Sequence, residues 1–367
     1  MIRRIHVAGY RSIRDLTVEL GRINVLTGPN GCGKSNLYNS LVLIGRAAQG
    51  RFARAVAQEG GMPSLLWAGR EARRQPGVQP RQRVVLGFDG ERVGYELQAG
   101  LPSQQPGASG PFDRDPEVKE EYVHAVGPKR KAPLLKREGF AVSVSNAVGS
   151  LEARTFEMTG SESVLPQILD PHLYPEISAV RNEMMGWRSY HHFRTDADSP
   201  MRHPQIGVRT PVLSPDGADL AAALTTIQEI GDHEGLRDVI AEALGGAELA
   251  IQAHEAVFSV GLRVPGLLRP LTGRELSDGQ LQFLCLCAAL LSPRPPSLLA
   301  LNEPETSLHP DLIDPLAHLI DRAAQRTQLW ITTNSLALAE AVKRRSGAPP
   351  IRLHMLDGET LVDRNGD

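Results

Sequence analysis

The chain has 367 residues, of which 41% are hydrophobic and 22% charged, with a formal net charge of −2. That composition supplies a sizeable core and excludes a disordered, collagen-like or coiled-coil chain. The length allows one large domain or two smaller ones, and no apolar run reaches the roughly 18–20 residues of a membrane helix.

The opening Met1-Ile2-Arg3-Arg4-Ile5-His6 lacks an apolar stretch of signal-peptide length, so a cytoplasmic protein with no membrane partner is expected. Charge is unevenly spread. Residues 1–100 carry 15 Lys and Arg against 7 Asp and Glu, and the remainder carries 25 against 35. This permits a basic face for phosphates, although a solvated arginine surface explains it equally well. The three cysteines, Cys32, Cys285 and Cys287, form no disulfide framework. Cys285 and Cys287 lie two apart on a predicted helix, which favours core packing over a metal site.

In chain order, Ile2 to Leu20 reads as two strands around a turn, with alternating Ile5 and Val7, then Leu16, Val18 and Leu20. Residues 22–27 form a short apolar strand that runs into a Gly-rich loop. A helix follows from Ser35 to about Gln49. Arg83–Phe88 and Arg92–Gln98 alternate around Asp89-Gly90, a hairpin signal. Residues 100–116 read as a loop, and 127–137 as another with a basic cluster of Lys129, Arg130, Lys131, Lys136 and Arg137. Helices are expected at 163–190 and 217–246. Glu275–Leu291 is a further helix, and Ser297–Leu301 reads as a buried parallel strand ending in Asn302-Glu303. A helix at Asp311–Gln325, a strand at Gln328–Thr333, a helix at 335–345 and a closing hairpin around Asp357-Gly358 complete the chain. Strands alternating with helices predict a mainly parallel α/β sheet. No heptad pattern persists, so long coiled-coil arms are not expected.

Gly28-Pro29-Asn30-Gly31-Cys32-Gly33-Lys34-Ser35 fits G-x-x-x-x-G-K-[ST] between a predicted strand and a predicted helix. Glycines let consecutive N–H groups turn inward as an anion nest, and the helix adds its positive end. Lys34 supplies a cation for the β- and γ-phosphates of ATP, and Ser35 a hydroxyl for Mg²⁺. Far downstream, Leu276-Ser277-Asp278-Gly279-Gln280 opens an apolar helix. Asn302-Glu303 then ends an apolar strand of Walker B type, which places Glu303 where a carboxylate polarises the attacking water.

Together these residues resemble the ABC-type ATPase heads of the SMC/RecF superfamily, more narrowly its RecF-like AAA members. The resemblance implies an α/β P-loop NTPase of ABC-head type, with ATP and Mg²⁺ as cofactors. Lobe I, a mixed sheet, would comprise 1–100 and 250–367. An inserted, largely helical lobe II, 101–249, would lead to the signature at 276–280. Nucleotide contacts would come from Asn30, Gly31, Cys32, Gly33, Lys34, Ser35 and Asn36, with Arg11 of Gly9-Tyr10-Arg11-Ser12-Ile13 approaching from the N-terminal strand turn. Two heads would sandwich two ATP molecules head to tail, each capped by Ser277, Gly279 and Gln280 of the other copy. Thr306–His309 would lie across that homodimer interface.

Two positions depart from the pattern. Asn302 replaces the Mg²⁺-shell aspartate, and Asn334 replaces a histidine that reaches the γ-phosphate and is counted with Glu303 and Lys34 as catalytic. An amide keeps hydrogen bonding but loses the charge or the titratable ring, which predicts slow turnover. Gln58 is one candidate for the glutamine that links lobe II to the metal. Cys32 offers a redox-sensitive thiol in the loop or a small filler. His191, His192 and His203 suit an interlobe packing patch with Tyr190, Phe193 and Arg194 better than a metal site.

Two functions remain open at this stage. One is a dimerising switch in DNA repair that binds duplex DNA without sequence preference. The other is a regulatory module, for example in a defence system, that controls a protein partner.

Overall fold

The computed structural model describes residues 1–69, 83–103, 110–127, 132–146 and 149–363. Strands β1 (Ile2–Tyr10), β2 (Ile13–Glu19) and β3 (Ile23–Thr27) precede α1 (Lys34–Ala48), α2 (Phe52–Gln58) and the short α3 (Met62–Leu65). Next come β4 (Arg83–Gly90), β5 (Val93–Gly100), β6 (Glu117–Ala125), β7 (Ala132–Glu138), β8 (Ala141–Ser145), β9 (Leu151–Arg154) and α4 (Pro175–Gly186). Then follow β10 (Arg188–Tyr190), β11 (Gln205–Ile206), α5 (Leu220–Ile230), α6 (His233–Ala243), β12 (Glu248–Leu249), β13 (Gln252–His254), β14 (Val257–Ser259), β15 (Gly261–Arg263) and β16 (Leu271–Thr272). The chain ends through α7 (Asp278–Leu290), β17 (Leu298–Asn302), α8 (Ile313–Ala324), β18 (Gln328–Thr332), α9 (Leu336–Ser346), β19 (Ile351–Leu356) and β20 (Glu359–Val362).

Contacts divide the chain into two units. The first comprises 1–21, 28–187 and 351–367, and the second 22–27 and 188–350.

The first unit is built on an antiparallel sheet in the order β2-β1-β4-β5-β6-β7-β8-β9. In β1 the alternation works as read: Ile2, Ile5, Val7 and Tyr10 are buried while Arg3 and Arg4 face out. Register follows from it, with Ile5 opposite Val18 and Phe88. Helix α1 buries Leu37, Leu41, Ile44 and Ala48, one helical face. The β19–β20 hairpin turns at Asp357-Gly358, as the sequence predicts.

The second unit carries the parallel sheet β10-β17-β18-β3. Leu298–Leu301 and all of Gln328–Thr332 are buried, the continuous apolar run that a strand covered on both faces requires. Helix α7 is buried from Leu281 to Leu290, and Cys285 and Cys287 are part of that core. Each fully buried Leu of this layer contributes about 2 kcal/mol.

Some expectations change. The 217–246 helix is two helices, because Gly231 ends α5 and the Asp232 carboxylate caps α6 through Gly235 N at 3.0 Å. The 163–190 helix shrinks to α4, since Pro166 and Pro171 lie before it and Pro175 serves as its first residue. The segment expected to be largely helical also carries strands β6–β9.

Arg137, read as part of a basic loop, lies in β7 with no exposed side chain. It pairs with Glu121 at 3.4 Å and donates to Glu162 O at 2.6 Å and Gly139 O at 2.7 Å. Glu121 also accepts from Tyr95, Ser163 and Val164 N. A charge in a sheet interior persists only when paired and hydrogen-bonded in this way. Lys136 lies in β7 beside Glu138, whereas Lys129, Arg130 and Lys131 lie outside the described residues.

Candidate nucleotide site

The first unit holds the Gly-rich loop. The chain leaves β3 at Thr27 and turns through Gly28 to Gly33 into α1. Gly33 has φ +101°, and a Cβ built on it would lie 2.1 Å from Thr360 Oγ1. Only glycine suits such a backbone, and only glycine fits beside β20. Thr360 Oγ1 also bonds Ser12 Oγ at 2.7 Å, and Asn36 Nδ2 donates to Ser12 Oγ at 2.7 Å. The loop is therefore braced from behind by residues at both ends of the chain.

Lys34 opens α1 and is buried, with Nζ donating to Gly28 O at 2.7 Å and Pro29 O at 2.9 Å. The ammonium is thus folded back over its own loop. Ser35, one residue on, is exposed, as are Asn30 and Gly31 at the crest. Cys32 is 1% exposed, and a Cβ on Gly28 would come within 2.7 Å of its sulfur, so the thiol fills space inside the turn.

Arg11 has φ +49° and pairs with Glu59 at 2.5 Å, its guanidinium 5.5 Å from the Tyr10 ring. Gln58 is exposed at the end of α2.

The second unit holds the acidic strand end and the signature. Glu303 follows β17 at φ +47°, a costly conformation for a side-chain-bearing residue, held by Glu303 N donating to Thr332 O at 2.8 Å. Its Oε1 accepts from Asn334 Nδ2 at 2.5 Å. Asn302 Oδ1 accepts from the Thr332 hydroxyl at 2.7 Å. The structure therefore brings Glu303 and both departing asparagines to adjoining strand ends.

Ser277 caps α7 in a reciprocal box: Ser277 Oγ accepts from Gln280 N, and Gln280 Oε1 accepts from Ser277 N at 2.9 Å. A Cβ on Gly279 would lie 2.9 Å from Ser307 O, so the signature turn abuts the Thr306–His309 loop. Glu275, just before the signature, is held down to about 2 by Arg269, with Thr272 N and its hydroxyl adding further bonds.

Sequence reasoning passed over Arg202. Its side chain donates to Leu276 O at 2.6 Å, Thr195 O at 2.9 Å and Gly273 O at 3.1 Å, and pairs with Asp278 at 2.6 Å. It thus shapes the signature turn from behind. Its partners at the signature turn, Gly273, Leu276 and Asp278, lie more than seventy residues away in sequence, beyond the reach of any local pattern.

In the histidine-rich stretch of the second unit Tyr190 and Phe193 are buried, whereas His191, His192 and Arg194 are exposed rather than part of a packing patch. Tyr190 donates to Leu213 O at 2.7 Å and stacks on Phe193, and His203 Nδ1 meets Arg274.

A family model described as "AAA domain, putative AbiEii toxin, Type IV TA system" matches residues 154–340, and one described as "AAA domain" matches residues 4–45. Comparison with curated proteins gives no match. Among solved structures, the SmcHead bound to the C-winged helix domain of ScpA is similar at 12% identity and TM-score 0.52, covering 98% of this chain and 97% of that chain. The Smc head domain with an extended coiled coil bound to the C-terminal domain of ScpA, from Pyrococcus furiosus, is similar at 14% identity and TM-score 0.50, covering 98% and 95%. At such identity the likeness shows a shared fold. No helix of the described residues is long and apolar enough to cross a membrane.

Proposed function

The chain belongs to the AAA-domain family matched over residues 154–340, and from that premise we propose an ATPase head in which ATP closes two copies of the chain and hydrolysis releases them. Its fold is that of an SMC head, and it hydrolyses ATP. The observation that carries the finer reading is the Gly-rich loop, with Gly33 set against Thr360 and the buried Lys34 ammonium folded over it.

On this reading the loop amides and the N-terminal end of α1 take the β- and γ-phosphates, and Lys34 exchanges its carbonyl partners for phosphate oxygens. Ser35 suits Mg²⁺, because its exposed hydroxyl oxygen is a hard donor. Mg²⁺, when bound, neutralises phosphate charge. Glu303 orients and polarises water. Ser277, Gly279 and Gln280 cap the nucleotide of the opposite copy. Arg11 serves this site only after leaving Glu59.

The test is phosphate release from ATP by the full chain, with Lys34→Ala as control, and light scattering of Glu303→Gln with ATP and with ADP. Turnover lost in Lys34→Ala, and dimers of Glu303→Gln with ATP alone, support the reading. Turnover that survives Lys34→Ala removes it.

A regulatory role toward a protein partner is the second reading. The neutral Asn302 and Asn334 favour it, because slow turnover suits a timer. The SMC-type heads of similar fold are each bound to a ScpA domain. Duplex DNA remains the alternative partner, and its binding by phosphate contacts would weaken steeply with salt.

A further inference from the structure

We infer that Glu305 is the positioning residue of the hydrolytic centre, holding the Thr333–Ser335 turn so that the Asn334 amide reaches Glu303. The inference rests on the reading of Glu303 as the water-polarising carboxylate.

Glu305 lies two residues beyond Glu303, after the Pro304 turn. Its Oε1 accepts from three donors: Thr333 Oγ1 at 2.5 Å, Asn334 N at 3.1 Å and Ser335 N at 3.2 Å. These donors span the link between the end of β18 and the start of α9. Ser335 is the N-cap of α9, its own Oγ accepting from Leu338 N at 3.1 Å. The amides of Asn334 and Ser335 precede the first helical turn and have no helical acceptor. Glu305 supplies one.

The other oxygen of Glu305 is buried and receives no hydrogen bond from the described residues. Burying a carboxylate oxygen without a donor is unfavourable, so the bonds on Oε1 are what hold the group in place. Charge-assisted bonds of this kind are the stronger ones.

The consequence falls on Glu303. Its backbone is anchored to Thr332 O, and its carboxylate accepts from Asn334 Nδ2 at 2.5 Å. Asn334 is itself exposed, so its backbone is placed by its bond to Glu305. A carboxylate that must aim a water is sensitive to displacements of about 1 Å. Glu305 therefore acts on the reaction through Asn334 and touches no reacting atom.

The experiment is steady-state ATP hydrolysis by the full chain as wild type, Glu303→Gln, Glu305→Ala, Glu305→Gln, Asn334→Ala and Glu305→Ala/Asn334→Ala. Melting of each variant confirms folding. We expect Glu305→Ala to lower kcat about tenfold or more with KM for ATP unchanged. Glu305→Gln keeps the acceptor oxygen and restores most of kcat. In the Asn334→Ala background, Glu305→Ala adds less than about twofold, because both act through one contact. A merely structural cap would lower the melting temperature alike in both backgrounds and leave kcat of the folded protein unchanged. That result overturns the proposal, as do fully multiplying effects in the double variant. If Glu303→Gln hydrolyses ATP like wild type, the reading of Glu303 fails and the proposal falls with it. If Glu303→Gln is inactive while Glu305→Ala is normal, only the positioning role fails.

Discussion

The hydroxyl of Thr332 donates to Oδ1 of Asn302 at 2.7 Å. An aspartate at 302 would accept the same bond from the same donor, since the two side chains have one shape. Asn302→Asp therefore adds charge without repacking the strand end. We expect turnover to rise by about one to two decades, with KM for ATP little changed, if the missing charge is felt in the transition state. An unchanged kcat would show that the neutral residue does not slow the reaction.

Gly33 meets two constraints at once, a φ of +101° and the Thr360 hydroxyl. Gly33→Ala is expected to cost about 1–3 kcal/mol by denaturant unfolding and to abolish ATP binding. Adding Thr360→Gly opens space for the new methyl group but leaves the backbone strain. The double variant should recover part of the stability and little of the binding, as titration with a labelled nucleotide would reveal.

Arg202 satisfies the carbonyls of Gly273 and Leu276 on the N-terminal side of the signature turn, bonds Thr195 O and pairs with Asp278. Arg202→Met keeps the aliphatic stem but removes every one of those donors. ATP affinity of the monomer should hold within about twofold, because the Gly-rich loop is untouched. ATP-dependent dimers of the Glu303→Gln protein should be lost, by at least about tenfold in dimerisation constant. Light scattering across an ATP titration separates the two effects.

Arg137 and Glu121 are both fully buried. Arg137→Met leaves the Glu121 carboxylate buried without its cation, at about 3–5 kcal/mol. Adding Glu121→Gln removes the stranded charge and should restore a large part of that loss. Denaturant midpoints of the two variants measure the difference. Equal midpoints would mean that the carboxylate is satisfied by Tyr95, Ser163 and Val164 N alone.

How far the chain could be read depends on how far apart the interacting residues lie. The loop from Gly28 to Ser35, the turn at Asp357-Gly358 and the buried strands at 298–302 and 328–332 were all predictable. Their backbone geometry is set by neighbouring residues, through glycine φ freedom, capping and apolar runs. The break at Gly231 was missed because apolar periodicity on both sides masks a single glycine followed by a capping aspartate.

Local patterning thus specified the Gly-rich loop, the acidic strand end, the serine cap of α7 and the α/β character of the chain. Pairing across long separations was settled by folding: Arg137 on Glu121, Arg202 behind the signature, Thr360 against Gly33, and Glu305 beneath Asn334. The physical reason is that these contacts exist only once loop-closure entropy has been overcome by burial elsewhere. A residue such as Glu305 carries no mark in its own neighbourhood of the strand end, 28 residues on, that it will hold.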